Sequence, residues 1–325
     1  MTTGISARTR GTVLTVLASI SFSLSGPLAK ALIDAGLSPQ QIVTARIITA
    51  TGLLFLFVLV TRPALLRVRR GDVRLLVVYG VVGVAGVQVF YFAAVSRIPV
   101  GVAILIEYSS PLLVVLWVRF VRGTVLPKAA WLGTGVALVG LAMVAQVWQG
   151  LRLDAFGVLF AVAAAFCIAA YFLLGEHAVG TIEPLGLVTW GMAVGSAGML
   201  VLAPPWTFPD DAMSRTVAVG PWAPQAWVRI VVLAVVATAL AYLFSISALR
   251  HVPSNVASVL ALTEPIVVIF VAWALLNQQL ALIQLIGAGV LLAGATVVQL
   301  ASHGPVIPAE AVPAPEPEPG QDRAA

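Results

Sequence analysis

The sequence contains little charge, few histidines and almost no cysteine. Charged residues make up 10% of its 325 residues and hydrophobic residues 60%, whereas soluble domains carry roughly 25% charge. A large soluble core is therefore excluded. The single cysteine, Cys167, rules out an intrachain disulfide, and His177, His251 and His303 lack the spacing of a metal site. We expect neither a metal nor another cofactor.

The sequence instead contains repeated apolar runs of about 20 residues, the length of a helix that crosses a bilayer. Ten such spans are predicted, beginning near residues 11, 39, 73, 99, 128, 155, 184, 228, 253 and 280. A signal peptide is the alternative for residues 8–29, but the length of that run favours a first transmembrane helix. The predicted fold class is an all-α polytopic membrane protein with ten transmembrane helices. The net charge of +5 comes from short loops between spans, a pattern typical of membrane topology rather than of nucleic-acid binding.

One stretch of the chain occurs twice. Shifting residues 97–144 by 154 superimposes them without a gap on residues 251–298. The coinciding pairs include Pro99/Pro253, Pro111/Pro265, Gly133/Gly287, Gly135/Gly289 and Gly140/Gly294. Since proline and glycine set backbone geometry, their coincidence indicates two copies of one backbone. The predicted parts are an N-terminal segment 1–10, five-helix repeats over 11–147 and 155–301, and a disordered tail over 302–325.

Five spans in each repeat have a consequence for orientation. An odd number of spans places the second repeat upside down relative to the first. The loop at 61–74 holds five arginines, whereas its counterpart at 204–227 holds only Arg215. The positive-inside rule then predicts that both termini are cytoplasmic.

These motifs resemble the EamA family of the drug/metabolite transporter superfamily. The resemblance rests on Ser110-Pro111 and Glu264-Pro265, on the glycine-rich spans that follow them and on Ala45-Arg46, and it covers residues 11–301. The chain departs from the family's Gly-Glu position, which holds Thr124 and Gln278 here. The resemblance implies two five-helix repeats and transport of a small metabolite, commonly an amino acid, by alternating access across the inner membrane.

Two carboxylates lie inside predicted spans. Glu107 follows Pro99 by eight residues, and Glu264 follows Pro253 by eleven. At 1.5 Å per residue they lie about 12 and 16 Å along their helices, near the middle of a bilayer core about 30 Å thick. Carboxylates at such depth are costly and usually functional, so we expect both to line a substrate or coupling site.

Arg46 lies seven residues inside the second span, roughly 10 Å along its axis, and is expected at the same site. Structural explanations remain open for both acids. Glu264 precedes Pro265 and could bond a donor freed at a helix kink, and Glu107 could form a simple ion pair with Arg46.

Polar and aromatic side chains of other spans are expected to line the same cavity. They are Gln88, Tyr91, Tyr242 and Trp190. Packing between helices explains each of them almost as well. Three prolines inside spans are predicted to kink their helices: Pro27, Pro111 and Pro265.

The function predicted from these features is secondary transport of a small, amino-acid-like metabolite, with export as the expected direction and protons as the expected coupling ion. A passive facilitator or channel is the alternative. A membrane enzyme is disfavoured because the sequence offers no nucleophile–base set, so we assign no catalytic residue. The expected partners are a small-molecule substrate, protons and the lipid bilayer, not nucleic acid, and the chain is expected to be a monomer or a homodimer in the inner membrane.

Overall fold

The computed structural model describes residues 6–98, 103, 106–145, 154–209, 211, 213–216, 224–267 and 281–301. Within these ranges the chain is helical, apart from turns and one isolated bridge between Thr216 and Gln225. The helices are α1 Ala7–Ser23, α2 Ser25–Asp34, α3 Pro39–Thr61, α4 Val73–Val78, α5 Val87–Val95, α6 Ser110–Phe120, α7 Lys128–Ala145, α8 Ala155–Ala178, α9 Pro184–Leu202, α10 Ala226–Ala234, α11 Ala241–Ala248, α12 Ser254–Leu260 and α13 Leu282–Ala301. The predicted all-α class is confirmed for the part of the chain that is described.

Five described stretches are long and apolar enough to cross a membrane. They are Pro39–Thr61, Val73–Ala94, Ala155–Ala178, Pro184–Leu202 and Ala226–Ala248. Shorter apolar helices cover Ser110–Phe120, Lys128–Met143, Ser254–Val267 and Leu285–Val298. The number of ten spans stays a prediction. The tail at 302–325 and the residues Pro99 and Gln278 lie outside the described ranges.

The predicted first span is divided between α1 and α2. The interruption falls at Leu24, three residues before Pro27. Proline has no N–H, so a continuous helix would leave the carbonyl of Ser23 without its usual donor. The backbone therefore turns at the position where that hydrogen bond would be missing.

Two segments of wider π-helix interrupt long helical stretches. Tyr79–Gly86 joins α4 to α5, and Val235–Leu240 joins α10 to α11. A shift of 154 residues places 81–86 on 235–240, so the two segments occupy equivalent positions in the repeated sequence. Such segments are rare and often mark functional sites, because one backbone turn is widened and its side chains are re-aimed.

The helices of the two sequence halves are interleaved. The stretch α4–π–α5 packs on α8 and α9, and the stretch α10–π–α11 packs on α1 and α3. Glycine allows the first of these contacts: a Cβ on Gly80 would lie 2.5 Å from the Cβ of Val194 and 2.7 Å from the carbonyl oxygen of Gly191. Each half therefore supplies part of the other half's packing surface.

Helices α7 and α13 make an equally close contact through glycine. A Cβ on Gly140 would lie 2.3 Å from the backbone nitrogen of Leu291, and one on Gly294 would lie 2.4 Å from that of Ala137. At these distances only hydrogen fits, so the two backbones touch directly, as small residues permit in membrane helices.

The bundle has two distinguishable ends. At one end, called the Arg62 end, Arg62 pairs with Glu183 and Arg122 pairs with Glu176. Glu176 also accepts hydrogen bonds from the backbone nitrogen and the hydroxyl of Ser254, at 2.9 and 3.1 Å. These contacts join α8, α9 and α12 to the loops of the first half.

At the opposite end, called the Arg215 end, the loop after α9 is bonded to α2 and α3. Gln41 donates to the carbonyl of Thr207 at 2.8 Å, and Arg215 donates to the carbonyl of Ala35 at 2.7 Å. Arg215 also binds both carboxylate oxygens of Asp211, and this hydrogen bonding lowers the pKa of the Asp211 carboxyl. The loop is thus fixed over the first turns of α3.

Candidate functional site

Glu107 lies directly before a break in its helix. Tyr108 and Ser109 form a turn, α6 starts at Ser110, and Pro111 is its second residue. In a continuous helix the carbonyl of Glu107 would accept from residue 111, but proline has no N–H to donate. The Glu107 side chain is only 6% exposed. The break thus places a buried carboxylate beside backbone groups that lack a regular helical partner.

Glu264 lies at a corresponding break. Helix α12 ends at Leu260, residues 261–262 form a turn, and residues 263–267 are helical again. Pro265 has no N–H for the carbonyl of Ala261, which instead accepts from the backbone nitrogen of Glu264 at 3.0 Å. Broken helices of this kind occur in membrane proteins where the interrupted backbone lines a cavity or an ion site.

Three charged residues from three helical regions converge between these breaks. Glu107 and Glu264 lie close enough to interact electrostatically, and Glu264 interacts in the same way with Arg46 of α3. We call Arg46, Glu107 and Glu264 the charged cluster. Tyr108, next to Glu107, lies beside the Glu264 carboxylate. The two acids therefore approach each other although the repeat does not align them.

Arg46 is held from one side only. Its Nη1 donates to the hydroxyl of Ser25 at 2.6 Å, and its Nε is buried without a hydrogen-bond partner among the described residues. No ion pair within 4.0 Å joins Arg46 to Glu107 or to any other acid of the described chain. The direct pair between Glu107 and Arg46 that the sequence left open is absent, and guanidinium donors remain for an anionic group.

Three of the other predicted site residues surround the charged cluster. Tyr91 of α5 interacts with both carboxylates. Tyr242 of α11 lies near Arg46, and the side chain of Gln88 lies beside the Tyr242 hydroxyl. The predicted site residues Arg46, Gln88, Tyr91, Glu107, Tyr242 and Glu264 are therefore brought together by α3, α5, α11 and the two broken helices.

Trp190 lies elsewhere. Its ring meets Phe55 edge-on with centroids 5.2 Å apart, in the contact between α9 and α3, and its indole N–H is buried without a partner among the described residues. Tyr108 and Ser25 belong to the site although the sequence did not single them out. Their only signal was position, since Tyr108 follows an intramembrane acid and Ser25 precedes Gly26-Pro27.

A cavity of about 550 Å³ opens beside α3 at the Arg215 end. Ala45, which precedes Arg46, lines this cavity together with Trp206 and Phe208, two aromatic residues of the loop that follows α9. Arg46 is not among the residues that line this cavity, although it follows Ala45 in α3. The arrangement provides both charge signs in an otherwise apolar bundle, with neighbouring hydroxyl groups.

Comparison of this sequence with other proteins finds matches that are described as transporters. The family model described as "EamA-like transporter family" matches twice, over residues 9–146 and 155–300. An uncharacterized transporter of Archaeoglobus fulgidus is 27% identical over 207 residues, which are 64% of this chain and 70% of the relative. The pseudopaline exporter CntI of Pseudomonas aeruginosa is 31% identical over 160 residues, which are 49% of this chain and 55% of the exporter. The match to the exporter therefore spans about half of its length.

The fold also has a solved counterpart. A crystal structure of a protein with 22% sequence identity superposes with a TM-score of 0.72, covering 90% of this chain and 97% of that one. At this identity the similarity establishes a shared fold and does not extend to a substrate. The family match and the apolar helices together identify a multi-pass membrane protein.

Proposed function

The chain belongs to the EamA-like transporter family, and we propose from its site that it exports a small amino-acid-like metabolite across the inner membrane by alternating access. The observation that carries this proposal is the charged cluster, in which Glu264 interacts electrostatically with both Arg46 and Glu107 inside an apolar bundle. Charges at such depth are costly and characteristic of substrate and ion pathways. The name of the Pseudomonas aeruginosa relative supports the direction of export.

The cluster favours a zwitterionic substrate. Arg46 offers donors that no acid among the described residues occupies, and a guanidinium binds carboxylates well. Glu107 and Glu264 offer acceptors for an ammonium group, and Tyr108 and Tyr91 supply hydroxyls beside them. A molecule carrying a carboxylate and an ammonium a few bonds apart would satisfy both sides at once.

We also propose the ten-span arrangement of two inverted five-helix repeats. The two separate family matches, over residues 9–146 and 155–300, support a division of the chain into two repeats. The ends of the π segments, Gly86 and Leu240, recur at an offset of 154 residues and the turns before Pro111 and Pro265 at an offset of 153, which supports two copies of one backbone. With five spans each, the copies would face opposite sides of the membrane, and the five arginines of loop 61–74 would place the Arg62 end in the cytoplasm.

Contacts at the two ends support alternating access. At the Arg62 end, ion pairs from Arg62 and Arg122 join the first half to Glu183 and Glu176 of the second. At the Arg215 end, the cavity beside α3 is open to the outside of the bundle. We therefore propose that this conformation is closed toward the cytoplasm and that export requires the Arg62 end to open.

Proton coupling follows from the close approach of the two acids. Two carboxylates in one low-dielectric site repel each other when both are ionised, and one proton relieves that repulsion. A substrate ammonium group or Arg46 would relieve it as well, so binding of substrate and binding of a proton compete. This competition would couple the movement of one to the movement of the other.

The test is substrate flux in proteoliposomes with and without an imposed pH gradient, using a mixture of ¹³C-labelled L-amino acids analysed by mass spectrometry. Glu107→Gln should abolish the dependence on the gradient without preventing folding, because glutamine keeps the shape of glutamate but carries no titrating proton. Glu264→Gln should have the smaller effect, since the Glu264 carboxylate also lies beside Tyr108 at the helix break, where glutamine can take over a structural role.

Asp72→Asn provides the matched control. Asp72 precedes α4 outside the site, and its side chain makes no capping hydrogen bond. The control should keep the response of the wild type. Wild-type flux that ignores the gradient would contradict proton coupling and favour a passive facilitator, and the absence of amino-acid flux would contradict the proposed substrate class.

A further inference from the structure

Two buried tyrosines carry hydroxyl groups that make no hydrogen bond of regular geometry with the described residues. Tyr79, at the start of the first π segment, is 0% exposed, and Tyr171 of α8 is 7% exposed. Neither hydroxyl makes a hydrogen bond within 3.5 Å to the described residues. Buried polar groups are nearly always hydrogen-bonded, so two unsatisfied hydroxyls side by side call for an explanation.

Both residues are packed as if the rings themselves were required. A Cβ on Gly191 would lie 2.5 Å from the Tyr79 ring, and a Cβ on Gly83 would lie 3.3 Å from the Cβ of Tyr171. Glycines thus make room for the two rings. Phenylalanine would fill the same space without the cost of burying an unsatisfied hydroxyl, so packing accounts for the rings but not for their oxygens.

The two tyrosines continue directly from the charged cluster. Tyr242, which lies near Arg46, meets Tyr171 edge-on with ring centroids 5.6 Å apart. Tyr171 in turn lies beside Tyr79, with centroids 5.7 Å apart. Tyr79 is the seventh residue of the helical stretch that begins at Val73, close to the Arg62 end. The three rings therefore form a row that leads from the charged cluster toward that end.

We infer that Tyr79 and Tyr171 form a second substrate subsite, which binds the substrate by its hydrogen-bonding groups between the charged cluster and the Arg62 end. The inference rests on the proposed function. In the conformation described here that end is closed by ion pairs, and the two hydroxyls lie near each other and near Ser245 without a hydrogen bond of regular geometry among the described residues. When the end opens, a small zwitterion reaches them, and each hydroxyl can donate to its carboxylate or accept from its ammonium group.

The aromatic rings strengthen this subsite for the same class of ligand. A desolvated ammonium group is attracted to the faces of tyrosine rings. Neither Tyr79 nor Tyr171 carries a charge, so the subsite should bind more weakly than the charged cluster. A weak site next to a stronger one allows the substrate to move on rather than remain bound.

The test replaces both residues, giving Tyr79→Phe/Tyr171→Phe. Thermal unfolding in detergent should occur at or above the temperature of the wild type, because only unsatisfied hydroxyls are removed. Thr189→Val is the matched control, because the hydroxyl of Thr189 is also buried but donates to the carbonyl of Leu185 at 2.7 Å. Its loss should lower the unfolding temperature. The ratio of the KM values measured from the two sides of the membrane should stay unchanged.

Transport is measured with the ¹³C-labelled amino-acid mixture in inside-out and right-side-out membrane vesicles. For substrate that enters from the Arg62 end, the double variant should raise KM about tenfold, the size expected for one or two lost hydrogen bonds. For substrate that enters from the Arg215 end, KM should change much less. A merely structural role would not move the ratio of the two KM values.

Three results would overturn the inference. A lower unfolding temperature of the double variant would show that the hydroxyls have structural partners. If the wild type transports amino acids and the double variant has the same ratio of the two KM values as the wild type, the subsite would be overturned. The proposed function would stand. A wild type that transports no amino acid would overturn the proposed function, and the subsite with it.

Discussion

At the scale of single residues, α7 and α13 can touch only because glycine carries a hydrogen atom where alanine carries a methyl group. Gly140→Ala would drive a Cβ to within 2.3 Å of the backbone of Leu291, which cannot move aside as a flexible side chain would. We expect a loss of stability of about 1–3 kcal/mol, the usual cost of overpacking. Thermal unfolding of the purified protein in detergent measures it.

The same helices supply the control. Gly135 of α7 and Gly289 of α13 have no atom within 4 Å of a Cβ placed on them. Gly135→Ala and Gly289→Ala should leave stability unchanged or raise it by up to about 1 kcal/mol, since alanine favours helix more than glycine does. Equal effects at positions 135 and 140 would contradict the direct backbone contact.

The residues of the site differ in how visible they are in the sequence. Arg46, Glu107 and Glu264 stand out because charge is rare and costly inside apolar runs. Tyr108 and Ser25 carry no such signal, since hydroxyl-bearing residues are tolerated throughout membrane helices. Their roles depend on which helix faces them, and that is set by contacts between residues distant in the chain. Trp190 shows the converse: as an aromatic residue inside a span it is expected to line the cavity, but its ring packs on Phe55 instead.

At the scale of helices, two prolines coincide with the breaks that carry the carboxylates. Pro111→Ala combined with Pro265→Ala would restore the N–H groups that the carbonyls of Glu107 and Ala261 lack in a continuous helix. The helices should straighten and move the two acids, so substrate flux in proteoliposomes should fall while membrane insertion is retained.

Pro184 provides the comparison for this double variant. It is the first residue of α9, where proline removes no helical hydrogen bond, so Pro184→Ala should transport like the wild type. Unchanged flux in the double variant would show that the breaks do not depend on proline and that the turns at 108–109 and 261–262 are held by packing.

Helix starts could be predicted more accurately than interruptions. The sequence Ser38-Pro39 predicts the start of α3, and the structure confirms it: Ser38 accepts from the backbone nitrogen of Gln41 at 3.2 Å. The π segments had no such local signal. A π turn adds one residue to a helix without a characteristic residue type, and its position depends on the helices packed against it.

At the scale of the whole molecule, the orientation in the membrane is open to a direct measurement. A phosphatase fused after Pro209, in the loop of the Arg215 end, should be active outside the cytoplasm. The same enzyme fused after Gly71, within the arginine-rich loop, should be inactive. The reverse pattern, or activity at both positions, would contradict the inverted five-plus-five arrangement.

Composition and the internal repeat predicted the helical membrane class, because both are properties of the sequence itself. The way in which the halves combine could not be predicted in this manner. Nothing in the apolar pattern of α4 and α5 distinguishes packing on their own half from packing on α8 and α9, since all these surfaces are apolar. The distinction lies in the shape of a few small-residue contacts, such as that of Gly80 with Gly191.

This interleaving also affects how the protein is made. When the ribosome has finished the first half, the stretch α4–π–α5 lacks its main packing partners, because α8 and α9 have not yet been translated. At 5 to 20 residues per second, the remaining helices follow on the order of ten seconds later. During that interval Gly80 and Gly83 face lipid or the insertion machinery. The halves are therefore unable to mature one after the other, and a nascent chain arrested between them would be an incompletely packed membrane protein and a substrate for quality-control proteases.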